Sequence, residues 1–420
     1  MKPSVLLFLL FAAAPAGAST LDLSGFLSLG GAVFEGGRSW LDGGSGKLLG
    51  GEDGRELRRE SGVLGEVRLG LDWEPTPVWR VHLDAQARAD LASGASQDAG
   101  LVELWAEGTW GFGAGHEVNV RGGQFFPRTS FENVEPLWSS PYTLTLSAWN
   151  SWIAEEVRPT GFELGYRKFT AGDHQLAVTG TVFGGNDTAG VLLAWRGWAL
   201  HDRVVVREAF QPVPALDSLD GIFVAQDHRG TKPIGDDLDD RPGYLARGEW
   251  SAPEGRVRLQ ITAFDTRGDR VLHGHEYAWR TRFGLVGGEV VLPAGFRLVG
   301  EWGQGNTSMG PSTEPPGKPF NVFADFAAGY LLLTWQNERW TASVRHDRFG
   351  LDDRDRLPRA EDNDEDGSAW TAALLWQLGT HWRLAVEWLE VTAERDETGP
   401  GRIGAERDGR SLRGEVRWRF

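Results

Sequence analysis

The sequence contains no cysteine, which excludes disulfides, thiolate-ligated metals and thiol nucleophiles. It also lacks long hydrophobic runs. Beyond the leader, no stretch reaches the roughly 18 to 20 consecutive apolar residues that a membrane-spanning helix needs, so no helix anchors the chain. Positive charge is short as well: the formal net charge is −16, which argues against nucleic acid as a partner. Glycine and tryptophan are plentiful, with 57 and 20 copies in 420 residues.

The chain opens on Met-Lys-Pro-Ser, an apolar run from Val5 to Ala14, and a small-x-small site at Ala16 and Ala18. This predicts a secretory signal peptide over 1–18 and a mature chain over 19–420. From there the sequence alternates with period two. In "WRVHLDAQARADL", Val81, Leu83, Ala85, Ala87 and Ala89 share one face while Arg80, His82, Asp84, Gln86 and Arg88 share the other. "GVLGEVRLGLDW" sets Val63, Val67, Leu69, Leu71 and Trp73 against Glu66, Arg68 and Asp72. "HWRLAVEWLE" and "RGEVRWRF" repeat the pattern, as does "YAWRTRFG", in which Arg280 and Arg282 are assigned to the wet face. Roughly ten-residue segments of this kind are the signature of a transmembrane β-barrel.

The pattern predicts an all-β, antiparallel up-and-down barrel of about 16 strands. Connections alternate between short turns, such as "EPTP", "FGAG" and "APEG", and long loops, among them 127–158 and 186–241. That is the layout of an outer-membrane barrel, with turns in the periplasm and loops outside. A soluble β-protein would not place so many full charges on inward faces. Since a barrel has no free edge, its last strand must pair with its first. The terminal Phe420, two residues after Trp418, is similar to the signal by which the bacterial barrel-assembly machinery recognises its clients.

A barrel of this size is too wide for side chains to fill, so its interior is expected to hold water. The faces assigned to the lumen carry Arg68, Arg80, Arg121, Arg167, Arg280, Arg282, Arg297, Arg345, Arg383 and Arg417, among others. Acids such as Glu66, Asp84, Glu163, Glu301 and Glu387 lie among them. These charges either pair across strands and keep the wall wet or select ions.

The third long loop (128–158) holds Phe131, Leu137, Trp138, Leu144, Leu146, Trp149, Trp152 and Ile153, so it should be buried against something. Here the chain resembles the bacterial outer-membrane porins, whose third loop folds into the barrel and narrows it. The resemblance implies that Glu132, Glu135, Glu155 and Glu156 form the acidic side of a constriction facing wall arginines. It also implies a homotrimer in outer-membrane lipid and lipopolysaccharide. The fourth loop predicts a short helix, capped by Asp187 or Thr188, that presents Leu192, Trp195 and Ala199.

Asp362, Asp364, Asp366 and Gly367 match the start of a calcium loop, although Ala373 stands where the bidentate Glu belongs. Ca2+ in that extracellular loop is the one cofactor the sequence suggests. Taken together, the residues point to a channel for passive diffusion of small hydrophilic solutes or ions. A barrel enzyme acting on lipids and a plugged or surface-binding barrel are the alternatives.

Overall fold

The computed structural model describes residues 19–51, 58–89, 99–221, 223, 226, 230–310, 322–355, 363–395 and 408–420. The expected signal peptide lies outside these residues. Sixteen antiparallel strands close on themselves in chain order. They are β1 (Thr20–Gly36), β2 (Arg58–Glu74), β3 (Trp79–Ala89), β4 (Ala99–Phe112), β5 (His116–Gln124), β6 (Thr160–Phe169), β7 (Gln175–Gly184) and β8 (Gly243–Ser251). The circuit continues with β9 (Val257–Asp265), β10 (Arg280–Val291), β11 (Phe296–Met309), β12 (Val322–Gln336), β13 (Trp340–Asp353), β14 (Glu365–Leu378), β15 (Trp382–Arg395) and β16 (Gly409–Arg419).

Closure is direct. β1 pairs β16 from Phe26↔Arg419 to Gly36↔Gly409, and Gly25 and Phe420 exchange backbone hydrogen bonds of 3.2 Å. Every strand therefore has two neighbours, and no ladder of unpaired N–H and C=O groups faces lipid.

The outer surface is the apolar set that the alternation predicts. Leu21, Leu29, Val63, Phe162, Leu164, Val178 and Ile261 are each at least 60 % exposed, which in water would be a severe penalty and in lipid is a requirement. Near the short turns the outward side chains become aromatic: Trp79 meets Trp110 edge-on at 5.6 Å and Trp340 stacks on Trp376 at 5.3 Å. Such rings suit the boundary between acyl chains and headgroups. This architecture places the chain in the outer membrane.

One parity expectation is corrected. In β10 the buried set is Thr281, Phe283, Leu285 and Glu289, while Arg282 is exposed on the outer face and Arg280 pairs with Asp265 at 2.7 Å. Arg280 and Arg282 do not face the lumen. The segment offers two alternating sets, and the apolar one turns inward because the lumen at this level holds protein rather than water.

Candidate functional site

The lumenal wall divides into two zones. Toward the long loops its inward residues are apolar: Phe34, Phe183, Leu245, Phe264, Phe283, Phe326, Phe349, Leu351, Leu389 and Val391 belong to one buried cluster with the loops they enclose. Toward the short turns charged residues join the inward set, among smaller apolar clusters such as Val299, Tyr330 and Leu332. The third and fourth loops fold into the apolar zone and occupy it.

The third loop carries helix α1 (Ala148–Glu156), whose N-cap Ser147 accepts from Asn150 N at 3.2 Å. All nine helical residues are buried, so the helix is packed on every side, as only a helix surrounded by protein can be. Trp149 and Trp152 sit 5.2 and 5.5 Å from the Phe283 ring, and Trp152 lies 5.2 Å from Phe326. Burying such a ring contributes on the order of 1.5–3 kcal/mol. Gly303 in β11 admits this packing, because a Cβ there would strike the Trp149 ring.

The irregular backbone around α1 needs hydrogen-bond partners, and wall side chains supply them. Glu387 accepts from Leu144 N at 2.6 Å and Thr145 N at 3.0 Å, and Asp347 accepts from Ala148 N at 3.0 Å. Glu301 accepts from Phe131 N and, at 3.1 Å, from the Asn150 amide. Arg345 supplies the opposite sign. It pairs with Glu132 at 2.7 Å and Asp347 at 2.8 Å, and donates to the carbonyls of Thr145 at 2.6 Å and Leu146 at 2.9 Å.

The fourth loop lies against the third. Leu146 N donates to His201 O at 2.9 Å and Val205 N to Ala154 O at 3.2 Å. Its helix α2 (Val191–Arg196) is present, but the expected cap is not: Gly190 stands at the N-cap, and Asp187 instead accepts from Asp239 N at 3.3 Å. Gly190 is needed there, with φ at 100° and the hydroxyls of Thr281 and Thr307 where a Cβ would go. Arg196 pairs with Glu155 at 2.6 Å, and His201 Nε2 lies 3.2 Å from the same carboxylate. Burial works against the charged form of Glu155, but Arg196 and His201 prevail and hold its carboxyl well below the usual range. Among the described residues no cation pairs with Glu156: it accepts from Trp152 Nε1 at 2.7 Å and Leu192 N at 3.0 Å, and burial pushes it up to about 7.

Two further anchors hold the fourth loop to the wall, and a third ties the loops to each other. Asp202 bridges Arg413 at 2.6 Å and Arg88 at 2.8 Å beside a cavity of about 20 Å³, room for one water. Glu365 receives Lys47 of the first long loop at 2.8 Å, Arg395 at 3.0 Å and Trp198 N at 3.2 Å. Arg158 donates to Ala154 O at 3.0 Å and also to Val205 O, tying both loops together at the exit to β6.

These positions correct the expected constriction. Glu132, Glu155, Glu156 and Arg345 are 0 % exposed, so they hold a dry assembly together and do not face each other across water. Arg68 is buried against Asp84 and donates to Leu137 O at 2.9 Å, and Arg121 is buried against Glu163 at 2.9 Å. The residues that border a wet interior lie nearer the short turns. Arg80 pairs with Asp72 at 2.8 Å, Arg167 with Glu117 at 2.6 Å, Arg297 with Glu289, and Glu135 with Arg419 at 3.0 Å, each arginine about a third exposed or more. These half-exposed charges mark the turn end of the lumen, its vestibule.

Of the calcium-loop aspartates, two are described. Asp366 lies in β14 and pairs outward with Arg348 at 2.8 Å, Asp364 accepts from Asp353 N at 2.6 Å, and Asp362 lies outside the described residues. The sequence left open whether the fourth-loop helix covers the mouth, packs on the outer rim or enters the lumen, and here the loop packs inside with the third. The signal for that placement was the apolar density of "AGVLLAWRGWALHDRVVV" (189–206), which exceeds what an exposed loop carries.

Comparison of the fold finds outer-membrane channels. The chain is similar to the outer membrane channel DcaP of Acinetobacter baumannii, with a TM-score of 0.54, 12 % identity, and coverage of 96 % of this chain and 97 % of that one. The anion-selective porin from Comamonas acidovorans aligns with a TM-score of 0.52 at 8 % identity over 96 % of this chain and 100 % of the other. OmpT, an outer membrane protein of Vibrio cholerae, gives 0.51 at 8 % identity over 97 % and 99 %. No protein-family model and no curated protein matches the sequence. The class is thus a 16-stranded barrel with the fold of the outer-membrane porins.

Proposed function

We propose that this barrel is an outer-membrane channel for small hydrophilic solutes or ions, closed at rest by the third and fourth loops. The observation that carries the reading is the combination of a charged, half-exposed vestibule with a loop assembly that is bonded to the wall largely by side chains and adds no strand to the barrel. Solutes cross without covalent change, so the reading is of a non-enzymatic protein. It includes assembly as a homotrimer among outer-membrane lipid and lipopolysaccharide.

The apolar wall around α1 favours a second reading, a permanently plugged barrel, because a lumen that regularly filled with water would be lined there by polar groups. Planar-bilayer recording separates the two. The channel reading expects brief, infrequent steps from the intact protein and sustained conductance once residues 186–207 are replaced by a short Gly/Ser linker and Arg345→Gln frees the third loop. A folded deletion variant that stays silent overturns it.

A further inference from the structure

We propose that Arg383, Arg417 and Arg419 form an anion-binding site on the vestibule wall, built for a small oxyanion carrying a phosphate or carboxylate group. Arg383 and Arg417 are register partners on β15 and β16, so two guanidinium groups project side by side into the lumen. Like charges directly opposite each other repel, and this pair has a single carboxylate between its members. Glu415 accepts from Arg383 Nη2 and from Arg417 Nη2, each at 2.9 Å. Arg419, next on the same face, is matched by Glu135 of the third loop at 3.0 Å. Three arginines thus face two acids, and one positive charge is left over.

The donor geometry points the same way. Arg383 is 3 % exposed and Arg417 8 %. Arg383 Nε and Nη1 and Arg417 Nε are nonetheless buried without a hydrogen-bond partner. Unmatched N–H groups on buried guanidiniums are costly, and an oxyanion is the ligand whose lone pairs match a guanidinium fork. The surroundings hold the forks in place. Arg417 lies on the Phe26 ring at 4.0 Å, and Leu144 of the third loop packs with Leu375 and Ala385 above the pair. Below it, Arg419 is 30 % exposed at the vestibule mouth, which gives a ligand its way in. The site stands on the wall and the third loop, so it holds whether or not the lumen ever opens.

Calorimetric titration of the purified full chain in detergent with inorganic phosphate, and separately with acetate, tests the site. The expected result is one saturable site for phosphate, acetate or both that weakens with added salt. Arg383→Gln and Arg417→Gln should each lower affinity at least tenfold, Arg383→Lys should fall between, and Arg282→Gln on the outer face should bind like the parent. Protection of Arg419, the exposed member of the set, from an arginine-specific dicarbonyl reagent by the same anions needs no variant and covers the case of a substitution that fails to fold. Absence of binding and protection with both anions, or unchanged affinity in folded Arg383→Gln and Arg417→Gln, overturns the proposal.

Discussion

Arg345→Gln should release the third loop from the wall. In the parent, this fully buried guanidinium balances Glu132 and Asp347 at 2.7 and 2.8 Å and supplies the carbonyls of Thr145 and Leu146. The substitution leaves two carboxylates buried with no cation between them. Removing one partner of such a group costs about 3–5 kcal/mol. At roughly 1.4 kcal/mol per tenfold, that shifts the docked-to-released equilibrium of the loop by about two to three and a half orders of magnitude. The barrel itself should survive, because the β12–β13 and β13–β14 ladders do not depend on the side chain. Two assays read the outcome: amide hydrogen exchange across 143–156, which should accelerate by that factor, and planar-bilayer recording, where open events should become frequent. Glu132→Gln combined with Arg345→Gln should cost less than the sum of the two, since the double variant leaves one buried charge where the single leaves two. A folded Arg345→Gln variant with parental exchange rates and open events no more frequent than the parent's would refute the view that this network holds the loop in place.

Further outcomes follow from other contacts. Trp152→Ala removes a buried ring that touches Phe283 and Phe326, and should cost about 3–5 kcal/mol, seen as a lower midpoint for thermal release of the loop assembly. Gly303→Val should act in the same direction by driving Trp149 off the wall, without changing barrel content measured by circular dichroism. Arg280→Ala and Arg282→Ala, made together in the conducting deletion variant, should leave its reversal potential unchanged, because both side chains lie outside the lumen. Docking should also depend on pH through Glu156. Its docked form holds a proton up to about pH 7, whereas a released glutamate loses it near 4.3, so docking strengthens as pH falls from about 7 toward 4.3 and is weakest above 7. Exchange of α1 amides should therefore slow from pH 8 to 5 after correction for intrinsic rates, and Glu156→Gln should flatten that slope.

The barrel was legible because lipid imposes one rule on every strand: the outward set must be apolar, and a period of two then fixes the rest. The lumenal set obeys no comparable rule. At the turn end, Arg80 and Arg167 are half-exposed on the inward face. Where loops fill the lumen, Phe283 and Leu285 look inward, and the arginines beside them are left to the headgroup region. Alternation in "YAWRTRFG" therefore located a strand without saying which of its faces was wet. The third loop was readable as buried from its tryptophans, but not its electrostatics. Glu132, Glu155 and Glu156 have the composition of a constriction and the surroundings of a core, and only their partners, distant in sequence, separate the two.

Those partners also explain why an acidic protein keeps charge inside a dry assembly. A loop that enters a barrel brings backbone donors and acceptors with no ladder to join, and apolar wall residues cannot satisfy them. Glu301, Asp347 and Glu387 each accept from a loop N–H, and Arg345 takes two loop carbonyls, so the wall completes the hydrogen bonding that regular structure supplies elsewhere. Side-chain bonds of this kind can be broken without unzipping a sheet. A plug built as a seventeenth strand would open only with the barrel, whereas this one has a seam of its own along which the loops and the wall can part.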